Sequence, residues 1–188
     1  MPADPEDLLA EVRELIAREV SAGFSTDEEI REQIVDMVSE EGDPDDELLD
    51  RIDGLIEKAV TGRAGEQEAW TGLTDCDRLD AAFAELQASG IVCRQNWTCC
   101  QSCGLAEIGG ELGRASRGYV FFHQQDTEGA VETGSLFLAY GACSDVEAEQ
   151  LALAHEIARN LRENGLEVEW DGDLGRRIIV KMEWKKRR

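Results

Sequence analysis

Apolar residues recur at helical spacing through the first third of the chain. Leu8, Leu9, Val12, Leu15 and Ile16 share one helix face, with Asp4 and Pro5 as cap and first residue and Gly23 beyond the end. Thr26 and Glu29 have the spacing of a capping box and open a second helix carrying Ile30, Ile34, Met37 and Val38. Asp43-Pro44 repeats the first start signal, and Leu48, Leu49, Ile52, Leu55, Ile56 and Val60 form a third stripe. The acidic first turns of all three suit the positive end of a helix dipole. Three amphipathic helices with short connections predict a bundle over residues 1–62. Residues 63–72, within TGRAGEQEAWTG, are expected to be a linker, with Trp70 packing onto the domain after it.

From residue 73 to residue 188 the period changes repeatedly. A fourth helix from Thr74 to Ala88 carries Leu79, Ala82, Phe83 and Leu86 on one face, Gly90 ends it, and Ile91 to Cys93 start a strand. Asn96 to Gly104, NWTCCQSCG, fits neither period and reads as a turn. Tyr119 to His123 and Leu136 to Tyr140 are almost continuously apolar, as strands covered on both faces are, with a short helix around Glu128 to Glu132 between them. Ser144 with Glu147 is expected to cap a long helix to Asn164, with Val146, Leu153, Ala154, Ile157 and Leu161 facing inward. Leu166, Val168 and Trp170, then Ile178, Val180, Met182 and Trp184, alternate with polar residues as in a hairpin with one wet face. The fold class is therefore α+β: a three-helix bundle, then a domain with a mixed sheet of about five strands and flanking helices.

Charge narrows the partners. The 188 residues carry a formal charge of −22, and residues 1–70 hold 22 acidic residues against 6 basic ones. Such a surface repels phosphate backbones, which argues against nucleic acid and leaves a basic protein as the partner it suits. The Lys185 to Arg188 ending is expected to be a solvated tail. No apolar run approaches the ~20 residues of a membrane span, and the acidic start lacks the basic and apolar regions of a secretory signal. A cytoplasmic protein without membrane contact is expected.

The six cysteines are Cys76, Cys93, Cys99, Cys100, Cys103 and Cys143. In a reducing compartment, clustered cysteines serve metal or thiol chemistry more than disulfide frameworks. Cys100-Gln-Ser-Cys103-Gly104 has the form of one zinc knuckle, in which two intervening residues let both sulfurs reach one ion. Gly104 would supply the positive φ of the tight turn. A tetrahedral site needs two more ligands, and Cys99, His123 and Cys76 are the candidates taken beside Cys100 and Cys103. The blander account makes the cysteines small core hydrophobes and His123 a hydrogen-bonded residue at a strand end. His155 falls off its helix stripe and is expected to be partly exposed.

Other chemistries draw on the same residues. A redox CxxC would sit at a helix N-terminus after a strand, but no βαβ unit is evident ahead of it. A Cys100 or Cys103 nucleophile would need His123 nearby, with Gln124 to Glu128 lining the pocket, although Asp126 or Thr127 more simply caps the next helix. Asp75, Asp77 and Asp80 open the fourth helix, where the dipole accounts for them. No phosphate-cradling glycine loop, GxSxG elbow or HExxH pair is present.

The blocks TDCDRLDAAF, RQNWTCCQSCG, GYVFFHQQDTE and GLEVEWDG together resemble a bacterial family catalogued as a domain of unknown function. The resemblance covers most of the chain from Trp70 onward and implies that Cys76, the Cys99 to Cys103 cluster and the HQQD segment belong to its usual pattern. It implies no activity. The residues thus favour a binding or regulatory module with a zinc site at CCxxCG and no other cofactor. The alternatives are a thiol-dependent enzyme and an acidic immunity-type or decoy protein for a basic partner.

Overall fold

The three N-terminal stripes meet in one core. The computed structural model describes residues 5–40 and 42–188. Helices α1 (Pro5–Ala22), α2 (Asp27–Ser39) and α3 (Asp46–Glu68) bury Val12, Ile16 and Val20, then Ile30, Ile34 and Val38, then Ile52 and Ile56 against one another. Each aliphatic side chain removed from water contributes about 1.5–3 kcal/mol, so packing holds helices whose surfaces are mostly acidic. The Thr26–Glu29 capping box forms as expected. Asp4, expected to cap α1, lies outside the described residues. The third start signal is displaced: Asp45, not Asp43, caps α3, its carboxylate accepting from the Leu48 N–H at 2.8 Å and leaving Pro44 outside the helix.

Residues 63–68 of the expected linker are helical, because α3 runs on to Glu68. Arg63, Ala64, Glu66, Gln67 and Glu68 are strong helix formers that tolerate one glycine, and Arg63 pairs with Glu66 at 3.0 Å. Trp70 falls within the helical unit. Its ring lies under the guanidinium of Arg63 at 4.6 Å and that of Arg187 at 5.8 Å. The basic ending is not a solvated tail. Lys186 sits over the Phe24 ring at 4.8 Å, and Arg188 donates to the Ser25 carbonyl at 2.7 Å and to Asp27 at 2.8 Å. The chain thus divides into a helical unit, ending at Gly72 but taking in Lys186–Arg188, and a sheet unit of Leu73–Lys185.

The sheet unit contains α4 (Asp75–Ala88), β1 (Ile91–Arg94), α5 (Gln101–Glu111), β2 (Gly118–Phe121), α6 (Gln124–Thr133), β3 (Ser135–Ala142), α7 (Glu147–Glu163), β4 (Glu167–Glu169) and β5 (Ile178–Lys181). Strand order is β1-β2-β3-β5-β4, with β1 and β2 parallel and the other pairs antiparallel. This is the mixed five-stranded sheet of an α+β fold. Gly118 and Phe122 mark one face of β2: a Cβ on Gly118 would meet Leu153 of α7, and Phe122 lies 6.0 Å from Phe83 of α4. Phe121 marks the other, where Ile108 of α5, Ala139 and Trp97 pack with it. Val146, expected to face inward, is 54% exposed at the N-cap of α7, and Ser144 caps nothing beyond accepting from the Val146 N–H. The buried stripe of α7 starts later, at Leu153.

Two local differences bear on function. Residues 101–111 form a helix that begins within the segment expected to be a turn, so β1, α5 and β2 make a βαβ unit. The apolar strand ends at Phe121 rather than His123, and His123 becomes the N-cap of α6. No helix among the described residues is long and apolar enough to cross a membrane.

Candidate thiol site

The chain leaving β1 does not let go of β2. The Trp97 N–H donates to the Phe122 carbonyl at 2.8 Å and the Gln124 N–H to the Thr98 carbonyl at 3.1 Å, carrying the pairing past both strand ends. Asn96 and Thr98 hold φ of 50° and 58° there. A β-branched residue in the left-handed region is a true outlier, costing about 1–3 kcal/mol that the surrounding bonds must offset. Those bonds are identifiable: Thr127 Oγ1 donates to Asn96 Oδ1 at 2.7 Å, and Thr98 Oγ1 to the Cys100 carbonyl at 3.1 Å. Arg94 at the end of β1 also pairs with Glu111 at the end of α5.

This strained turn delivers Cys99 and Cys100 to the start of α5. Cys100 is its N-cap residue, and Cys103 lies in its first turn. The sulfurs of Cys99, Cys100 and Cys103 all lie within 4.8 Å of one another, those of Cys99 and Cys103 at 3.6 Å. Cys99 is exposed and the other two half-buried. Gly104 plays a different part from the one expected. Its φ is not positive; it is a helical residue, and a Cβ there would lie 2.5 Å from Cε2 of Phe121. Glycine lets the cysteine-bearing turn of α5 lie directly on β2.

The Cys100 thiol pKa is pulled well below its ordinary value of 9.0. The Ser102 hydroxyl at 3.2 Å contributes most, followed by the Cys103 backbone and the Cys103 and Cys99 side chains, bringing it down to about 6. The same interactions push Cys103 up to about 11: its side-chain hydrogen bonds with Cys100 and then Cys99 contribute most, and the charges of those two sulfurs oppose a further one. Negative charge at a helix N-terminus is favourable as well. Cys93, buried in β1, is pushed up to about 12 by desolvation.

The other expected ligands stand elsewhere. Cys76 is 2% exposed within α4. His123 is 5% exposed, and both its ring nitrogens face Asp126: Nδ1 accepts from the Asp126 N–H at 3.3 Å and Nε2 lies 3.0 Å from Oδ2. Neither belongs to the group of mutually close donors found among the described residues. His123 instead completes a reciprocal capping box with Asp126, whose carboxylate takes two bonds from Arg177 at 2.9 and 2.5 Å. Arg177 also donates to the Phe137 carbonyl. Asn96, Thr98 and Ser102 lie in the segment the sequence singles out, but nothing there assigns them a role, and Arg177 lies outside it. Ser102 sits inside the CxxC and was legible in principle; Arg177 meets Asp126 only through tertiary structure.

His155 is exposed, as expected, and lies edge-on to Trp170 at 5.1 Å. A family model described as a domain of unknown function (DUF6891) matches residues 5–188. Neither a curated protein nor a solved structure matches the chain.

Proposed function

We propose, for a chain that belongs to the DUF6891 family and takes no assigned activity from it, that it is a binding or regulatory module which takes up zinc through Cys99, Cys100 and Cys103. The observation behind this is the mutual approach of three sulfurs within 4.8 Å on a turn anchored to two strands and a helix. Zinc–sulfur bonds of about 2.3 Å in tetrahedral geometry set sulfurs about 3.8 Å apart. The 3.6 Å between Cys99 and Cys103 already suits that spacing, and small side-chain rotations bring in Cys100. Three thiolates leave a fourth position at an exposed turn, open to water or to a donor from a partner protein. In this reading Cys76 and His123 are not ligands, and the ion serves recognition more than folding.

Equilibrium titration of chelator-treated protein with zinc tests the reading. Uptake of about one ion per chain is expected, weakened at least ~10-fold by Cys100→Ser or Cys103→Ser and unaffected by Cys76→Ala. Chelation should barely move Tm, unlike the collapse seen when a four-ligand structural zinc is removed. Absence of uptake, or uptake indifferent to both turn substitutions, overturns it.

A further inference from the structure

The molecule's six thiols are unequal in reach. Cys76 and Cys93 are buried in α4 and β1, and Cys143 is exposed beyond the end of β3. Cys99 and Cys103 face each other at 3.6 Å, one in the turn and one in the first turn of α5. We infer that Cys99 and Cys103 form a dithiol–disulfide pair that exchanges with low-molecular-weight disulfides, a redox site that goes beyond zinc uptake by the same turn.

A disulfide needs its sulfurs at about 2.05 Å. The remaining approach of about 1.5 Å lies within side-chain rotation, and Cys99 is exposed with room to make it. α5 need not move, which matters because Gly104 leaves it no slack against Phe121. The flanking backbone is fixed by the Trp97–Phe122 and Gln124–Thr98 bonds, which keeps the backbone of the cysteine-bearing turn in place when metal is absent. The location, just past the carboxyl end of a parallel strand and at the head of a crossover helix, is also where α/β folds gather reactive groups.

The exchange balances. A thiolate of the pair attacks one sulfur of a disulfide such as oxidised glutathione; the S–S bond breaks, one glutathione thiolate leaves, and a mixed disulfide forms. The second cysteine, losing its proton to solvent, attacks the protein-side sulfur of that bond and expels the second glutathione thiolate. The pair is oxidised by two electrons and one glutathione disulfide is reduced to two thiols. The disulfide leaves one thiol, Cys100, of the three, so oxidation and zinc compete for the same sulfurs.

The full chain, treated with chelator and then oxidised glutathione, should be digested with trypsin under non-reducing conditions. Cleavage after Arg94 and Arg114 releases a peptide containing Cys99, Cys100 and Cys103 and no other cysteine. Loss of two hydrogens and fragments placing the link between Cys99 and Cys103 are expected, with any glutathione adduct confined to Cys100. Cys100→Ser should keep the link, whereas Cys99→Ser should arrest as a glutathione adduct. Unreacted Cys99 and Cys103, a stable adduct on either of them in the unsubstituted protein, or a Cys100–Cys103 link overturns the inference. Zinc titrated into the same preparations separates the two ideas: a link without zinc uptake sinks only the metal site, and uptake without a link sinks only the redox pair.

Discussion

His123 shows how burial can outweigh a neighbouring acid. Desolvation lowers its pKa from the ordinary 6.5; Asp126 pulls the other way, and Arg177 adds to the lowering. The groups facing the ring are thus one carboxylate and the guanidinium that already neutralises it. The unfolded chain takes up a proton near pH 6.5 that the folded chain refuses until lower pH. Stability is therefore full above 6.5 and declines as pH falls from there through the lowered folded value, by at most about 1.4 kcal/mol per pH unit for this group. Asparagine at position 123 retains a side-chain acceptor for the N-cap but cannot titrate. Thermal melts between about pH 7.5 and about pH 5.5 should show a shallower decline in Tm for His123→Asn than for the unsubstituted chain; parallel curves would contradict this assignment.

Among the elements, α5 carries the site and was the least legible. Its neighbours could be read because their apolar residues repeat: Leu79, Ala82, Phe83 and Leu86 in α4, and Leu153, Ala154, Ile157 and Leu161 in α7, are all buried as their spacing suggests. Within α5 the buried residues are Gly104 and Ile108, and glycine at 104, 109 and 110 argues locally against any helix. What overrides propensity is contact with Phe121, seventeen residues away in the chain and invisible to any window along it. The two kinds of glycine should respond oppositely to alanine. Gly104→Ala drives a Cβ to 2.5 Å from the Phe121 ring and should lower stability by about 1–3 kcal/mol, as overpacked cores do. Gly109→Ala meets nothing within 4 Å and should raise stability by about 0.5–1 kcal/mol through helix propensity. Chemical denaturation of both variants measures this, and equal effects would refute the packing role given to Gly104. The cysteine cluster was legible from NWTCC and CxxCG, whereas its strained support at Asn96 and Thr98 depends on pairing with residues 122–127.

For the whole molecule, charge is the dominant long-range term. A formal charge of −22 remains after the 19 basic residues are set against the 41 acidic ones, and exposed pairs such as Arg31–Asp53 contribute about 0–1 kcal/mol each. Net self-repulsion opposes the folded state, and added salt screens it over a Debye length of about 10 Å at 0.1 M. Raising sodium chloride from about 0.05 M to about 0.5 M should increase Tm by a few degrees, and a fall would show that the ion pairs outweigh the repulsion. Within the helical unit, cations supplied from beyond the sheet unit meet apolar rings and an acid: Lys186 on Phe24, Arg187 on Trp70 and Arg188 on Asp27.

That assignment of the last three residues imposes an order on biosynthesis. The sheet unit, Leu73–Lys185, is spliced into the helical unit rather than appended to it. On the ribosome the three helices emerge before Leu73–Lys185, and the residues that lie over Phe24 and Trp70 emerge only after it. The helical unit thus waits for the whole sheet unit before its own packing is complete.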